Sequence, residues 1–324
     1  MESIIKKSSS SAFNLVGCIS LHRMPNNFGM PWKDYLIPVG NKINALQRAV
    51  LECAAAGCKS IWISCNYDQA PYARQSVGDF IVDPYVMYNT FDKIKYIKKE
   101  YIPIYFVPMD VTDLNVRDSM SWGMVNSAVN ATKVYSNLSQ YLKPDRFYVS
   151  FVQSCYNPWA LMKCRPKVKN TSYNFYLTHE GKSFKTGDYL GFTFSRKELG
   201  QIRSHVFEKG TVTTKWDSDR QKIFLPIEER YSGRNFTVDE VFKPVIIDDT
   251  NVVELTAFHN IETWEGYRSF IESKMSIRMP KLPIFKVKDK LARIGTYDSP
   301  EIQYTEEQLE EIFSINETEL KEFT

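Results

Sequence analysis

Two cations, Arg23 and Lys33, lie on one proline-punctuated stretch running from His22 to Gly40. Arginine offers a fork of donors and lysine a compact point charge, the pairing that a phosphate-bearing ligand needs. The alternative is two solvated surface cations. A second cluster is Arg117-Asp-Ser-Met-Ser-Trp-Gly-Met124. Asp118 or Ser119 there can cap a helix. Trp122 could stack on a base, or else belong to the core, and Gly123 lets a ligand approach the backbone closely. Arg165, Asp188 and His179 gather around a hairpin pattern in the second half, and Glu228-Glu229-Arg230 reads as a solvated charge run. With 4 histidines, all far apart, a catalytic triad or a zinc site has little to draw on.

The common nucleotide and hydrolase signatures are absent. There is no GxxxxGK[ST], no GxGxxG after a strand, no GxSxG, no HExxH and no EF-hand loop.

The elements that must position these groups alternate between strand and helix. Phe13–Leu21 is an apolar run of strand length, and Asn41–Ala56 has a helical period with Asn41 as N-cap and Gly57 just past the end. Ser60–Cys65 is the next strand, so the three make a parallel βαβ unit. The loop from His22 to Gly40 is long for a compact domain and lies where the carboxyl end of the first strand opens. Asp83-Pro84 opens a helix to about Lys99, Tyr101–Pro108 is a strand, Ser119–Leu142 a helix and Arg146–Val152 the fourth strand. Beyond it, Tyr173–His179 and Asp188–Phe194 flank Glu180-Gly181-Lys182 as a hairpin with a short turn. Capping boxes stand at Ser195–Glu198 and Thr237–Glu240, a strand at Asn251–Phe258 and an aromatic helix from Thr263.

The pattern predicts a doubly wound, mostly parallel α/β sheet with an antiparallel hairpin insertion and a C-terminal helical tail. The expected division is an α/β domain over 1–275, with a β-rich insertion at 173–240, and a linker with an acidic helical tail over 276–324. Residues 301–324 hold eight Glu against one Lys, while the whole chain has a net charge of +3, so the acidic tail offsets a basic body. That balance gives little for nucleic acid to bind. No run nears eighteen consecutive apolar residues, so no membrane span is expected. The first ten residues lack an apolar core and a cleavage site, and the 6 cysteines form no CxxC, which together suit reduced thiols and a cytoplasmic setting. Heavy use of Lys, Asn, Ile, Tyr and Phe is what an AT-rich genome, such as many phages carry, would produce.

The order of these pieces resembles the opening of the sugar-phosphate nucleotidyltransferases, GT-A-like proteins that join a nucleoside triphosphate to a sugar phosphate. The likeness rests on the loop with Arg23 and Lys33, on Leu36-Ile-Pro-Val39, on Ala55-Ala-Gly57-Cys58 before the second strand, on Ser119–Ala128, and on Ile261-Glu-Thr263-Trp264-Glu-Gly-Tyr267. It implies that Arg23 and Lys33 hold phosphates and that Asp118, Ser119, Trp122 and Gly123 border the base. It also implies Mg²⁺ on a strand-end carboxylate. At that strand end this chain has Gln153 and Ser154 instead, and Cys18–Arg23 replaces the family's Gly-rich phosphate loop. Asp110 and Glu262 are the acidic candidates left for the metal. Two functions follow: a divergent transferase acting on a nucleotide or nucleotide-sugar, or an inactive structural or assembly protein, such as part of a phage particle. In the second, a tail helix at Glu306–Phe313 could dock a protein partner.

Overall fold

Leu15–Ser20 forms strand β1, and its alternation sets the architecture. Leu15 and Ile19 enter one apolar core with Leu46, Val50 and Cys53 of helix α1, Ala45–Ala56. Val16 and Cys18 enter the other, with Trp122, Val125 and Ala128 of helix α3, Met120–Leu138. Successive side chains of a strand point to opposite faces, so one strand seeds both cores and the sheet is covered on both sides. Gly17 permits the close packing of α1, since a Cβ there would stand 2.9 Å from Cys53 Sγ.

The computed structural model describes residues 13–22, 28–30, 33–40, 43–85, 101–109, 119–139, 142–170, 172–209, 214–216, 221–224 and 236–279. The chain divides after Val287, and every described residue belongs to the N-terminal part.

The remaining strands, in chain order, are β2 Pro38–Gly40, β3 Ile43–Asn44, β4 Ser60–Cys65, β5 Phe80–Val82, β6 Tyr101–Pro108, β7 Arg146–Val149 and β8 Ser154–Cys155. They continue with β9 Tyr176–Thr178, β10 Phe192–Ser195, β11 Thr214–Trp216, β12 Lys222–Phe224, β13 Val252–Glu254 and β14 His259–Asn260. Seven of them join β1 in one eight-stranded sheet, in the order β13-β9-β10-β7-β1-β4-β6-β5. The central four, β7-β1-β4-β6, are mutually parallel, and β10 runs antiparallel on β7. The chain steps from β1 to β4 to β6 and then returns to the far flank of β1 as β7. The order therefore reverses between β1 and β7, the switch point where doubly wound sheets open a crevice.

The doubly wound α/β sheet expected from the sequence is thus present, with three local corrections. The α1 N-cap is Asn44 rather than Asn41: its Oδ1 accepts from the Gln47 N–H at 2.8 Å, and Gln47 Oε1 accepts from the Asn44 N–H at 3.0 Å. The preceding residues instead pair as β2 and β3. The turn at Glu180–Lys182 does form, with Glu180 at φ 49, but it does not join the hairpin by itself. A further 3-10 turn at Phe184–Thr186 separates β9 from β10, and both strands lie in the central sheet. Finally, Arg165 sits on helix α4, Ala160–Val168, and does not flank the hairpin. Its Nη1 reaches Asp83 Oδ2 at 3.1 Å, while its Nε and Nη2 donate to the carbonyls of Ala55 and Ala54 at 2.8 and 2.6 Å. It closes the C-terminus of α1, beside Gly57 at φ 89.

Helix α2, Ala70–Val77, and strand β5 complete the first half. Helices α5 Arg196–Lys209, α6 Val238–Val241, α7 Trp264–Glu272 and α8 Met275–Arg278 complete the second. The capping boxes at Ser195–Glu198 and Thr237–Glu240 are formed, and Thr263 caps α7. The expected helix at 83–99 lies largely outside the described residues, as does the tail from 280 onward. All six cysteines are free, and burial pushes the Cys18 and Cys53 thiols well above their ordinary value, as fits packing groups. Among the described residues no helix is long and apolar enough to cross a membrane.

Candidate functional site

The carboxyl ends of β1, β4 and β7 carry two polar groups of side chains, one on each side of the switch point. On the α3 side, the chain leaves β1 through Ser20, Leu21 and His22, all buried. His22 Nε2 lies 2.9 Å from Ser64 Oγ at the end of β4, and Asn126 Nδ2 of α3 donates to the same oxygen at 3.3 Å. Ser119 is the N-cap of α3, its Oγ accepting from the Trp122 N–H at 3.1 Å. Gly123 packs directly on the strand end: a Cβ there would collide with Ser20 Oγ and stand 2.8 Å from His22 Cδ2. The end of β1 and the 119–123 turn therefore converge. Gly123→Val is expected to cost about 1–3 kcal/mol by overpacking this junction, measurable as a lower urea midpoint.

Trp122 is 4% exposed and packs with Val16, Cys18 and Trp62, so it is a core side chain that supports this turn. Lys33 is exposed, immediately before the 3-10 turn Asp34–Leu36. Arg23, Asp110 and Asp118 lie outside the described residues.

On the α1 side, a small cleft is lined by Phe28, Asp34, Gln153 and Glu262 together with the apolar Ile37, Ala45, Val152 and Ile261. Its enclosed space holds about one water molecule. Two features bring its walls together. Ile261 N–H donates to the Gln153 carbonyl at 2.8 Å, and the β8–β14 ribbon pairs Ser154 with Asn260. Gln153 is 3% exposed, and its Oε1 has no hydrogen-bond partner among the described residues. Glu262 Oε1 accepts from Tyr189 Oη–H at 3.0 Å. Burial, and then the Glu262 charge, push the Tyr189 phenol far above its ordinary value, so it remains a donor. Phe28 also meets Trp264 and Tyr267 of α7 edge-on, at 5.7 and 5.5 Å between ring centroids, which makes an aromatic wall beside the cleft.

Beneath this cleft lies a feature that sequence reasoning missed. Arg48 and Glu52 of α1 are both fully buried and paired, Nη1 to Oε2 at 2.7 Å. Glu52 also accepts from Tyr148 Oη and Ser150 Oγ, each at 2.7 Å, and Arg48 Nη2 donates to the Phe151 carbonyl. Burial acts to lower the Arg48 pKa, but Glu52, with Cys155 and Tyr156 nearby, more than offsets it, so the guanidinium stays charged. The available signal was an Arg and a Glu at i, i+4 in a helix whose other residues are almost all apolar. Asp34 was missed as well; its signal was a single carboxylate between Pro31 and Pro38, next to Lys33.

Three of the eight lining residues, Asp34, Gln153 and Glu262, carry side-chain oxygens, the ligand type a hard divalent cation takes, and the unmatched Gln153 Oε1 fits such a group; the other five are apolar. Among the described residues no three His, Cys, Asp or Glu side chains cluster closely enough to hold a metal by themselves.

No protein-family model matches this sequence, and no curated protein matches it. Solved structures do. A structure assigned as glucose-1-phosphate thymidylyltransferase from Bacillus anthracis, in complex with sucrose, is 9% identical with a TM-score of 0.48, covering 83% of this chain and 98% of that one. A UDP-glucose pyrophosphorylase in complex with UDP-glucose is 10% identical, TM-score 0.46, covering 80% and 97%. A UTP-bound enzyme of the same type from Acinetobacter baumannii is 9% identical, TM-score 0.43, covering 82% and 96%. At such identities and scores the likeness assigns this chain no activity and no residue roles. The phage origin suggested by composition gains no support from these neighbours.

Proposed function

We propose that the crevice between β1 and β7 binds a nucleotide or nucleotide-sugar and that the protein is a divergent GT-A-like transferase. One observation carries this reading: the end of β1 at Ser20–His22 touches the 119–123 turn beside a topological switch point, with a mostly apolar cleft across β1 that Asp34, Gln153 and Glu262 help to line. In this arrangement Ser119 borders the base, while Gly123 is occupied in seating the turn on Ser20 and His22 rather than in admitting a ligand, and Trp122 backs the turn from the core. Arg23 and Lys33 hold phosphate oxygens, and Asp118 joins the contacts to the nucleotide. Asp34, Gln153 and Glu262 hold Mg²⁺, with Tyr189 fixing the Glu262 carboxylate by its hydrogen bond. When bound, the cation neutralises phosphate charge, on which phosphoryl transfer largely depends.

A second reading is favoured by Gln153 itself. A neutral amide replaces a carboxylate where charge matters most, as expected if the scaffold has kept a structural role and lost turnover.

Calorimetric titration with nucleoside triphosphates and nucleotide-sugars, each with Mg²⁺, tests the proposal. Binding tighter than about 1 mM, roughly −4 kcal/mol, is expected; no heat for any of them at that level sinks it. Gln153→Asp is expected to tighten Mg²⁺ about tenfold, roughly 1.4 kcal/mol, by restoring a negative ligand. An unchanged affinity would remove Gln153 from the cation site.

A further inference from the structure

We infer that the buried Arg48–Glu52 pair is a positioning device that holds the 150–153 turn, and so presents Gln153 to the cleft. The inference rests on the proposed cation role of that cleft for its purpose, but not for its geometry. Strand β7 ends at Val149, and the chain must then turn sharply to reach β8 at Ser154. The turn is tied at successive residues: Ser150 Oγ donates to Glu52, and Phe151 O accepts both from Arg48 and, at 3.3 Å, from Ser154 N–H. Val152 and Gln153 then face the cleft, and Gln153 O receives the Ile261 N–H that brings Glu262 alongside.

A pair kept only for stability would be an odd choice at this site. The desolvation of two ions often cancels their attraction, and apolar residues of similar volume can serve as well. What apolar residues cannot supply is a donor to the Phe151 carbonyl and an acceptor for Ser150. The guanidinium also lies 5.3 Å from the Tyr156 ring centroid, so it is fixed from the side of the turn that leads into α4. Gly191 leaves room for the arrangement, since a Cβ there would meet Tyr148 Oη and approach Glu52 Oε1 to 2.8 Å.

Hydrogen exchange in the full chain tests this, followed on peptides spanning 150–156 and 257–262, with 15–22 as reference. In the double variant Arg48→Met/Glu52→Leu, the first two segments are expected to lose at least tenfold in protection beyond any change in the reference. Tyr148→Phe removes a Glu52 contact made by β7 itself and leaves the turn tied, so it is expected to shift all three segments alike. If the double variant does not fold, Ser150→Ala gives the same comparison, with a smaller local loss expected. Protection that falls uniformly across the three segments in the double variant, or in Ser150→Ala, overturns the inference. Titration with MgCl₂ alone separates the two claims. Wild-type protein that binds no Mg²⁺ removes the cation reading, while the exchange pattern still decides the positioning role.

Discussion

Glu52→Leu is expected to destabilise the protein by about 3–5 kcal/mol, read as a shift in the urea midpoint at unchanged slope. The substitution leaves the Arg48 guanidinium fully buried with no counter-charge, and strips Tyr148 Oη and Ser150 Oγ of their shared acceptor. Breaking one half of a buried ion pair is far more damaging than never having it, because the remaining charge keeps its whole desolvation cost. The double variant Arg48→Met/Glu52→Leu is therefore expected to cost less than Glu52→Leu alone. If the single change costs under about 1 kcal/mol, Arg48 must find water or another partner, and the pair is not an isolated buried unit.

A second large loss, also about 3–5 kcal/mol, is expected for Arg165→Leu. Arg165 and Asp83 have side chains 7% and 6% exposed, and removing the arginine leaves the Asp83 carboxylate without its counter-charge and takes a donor from each of the Ala54 and Ala55 carbonyls. The Tyr85 ring, 4.5 Å from the guanidinium carbon, also loses its stacking partner. A double-mutant cycle with Asp83→Leu gives the check. Losses that add to within about 0.5 kcal/mol would show that the two side chains do not act as a pair.

These two sites also show where sequence reading stops. The capping residues were legible because a cap is a local event: Ser119, Ser195, Thr237 and Thr263 each bond to a backbone N–H within three residues. Gly57 was legible for the same reason, as the left-handed residue that ends α1. The cap was read at Asn41 rather than Asn44 because Ile43 and Asn44 pair with Pro38–Gly40 as the short β2–β3 ribbon, an alternative that a helical period in the sequence does not exclude. The amphipathic reading of α1 described one apolar face, yet every residue from Ala45 to Ala56 except Gln47 is buried. Sheet on one side and α2 and α4 on the others leave it almost no solvent, which a period count within one segment does not reveal.

The candidate site divides in the same way. The long loop after β1 and the 117–123 cluster pointed to the carboxyl edge of the sheet, and Gly123 meets the end of β1 at Ser20 and His22 there. The cleft beside it required partners from distant segments: Asp34, Gln153 and Glu262 come from a 3-10 turn, the turn between β7 and β8, and the loop before α7.

By itself the sequence determined the alternating strands and helices, their caps and turns, and hence the doubly wound sheet. Each of these follows from hydrophobic period and short-range hydrogen bonding. Only the tertiary structure decided that Trp122 belongs to the core, that Arg165 closes a helix, and that an ion pair lies under the strand end next to Gln153. Those outcomes depend on which side chains meet across the sheet and what solvent each retains, and burial is a property of the assembled chain.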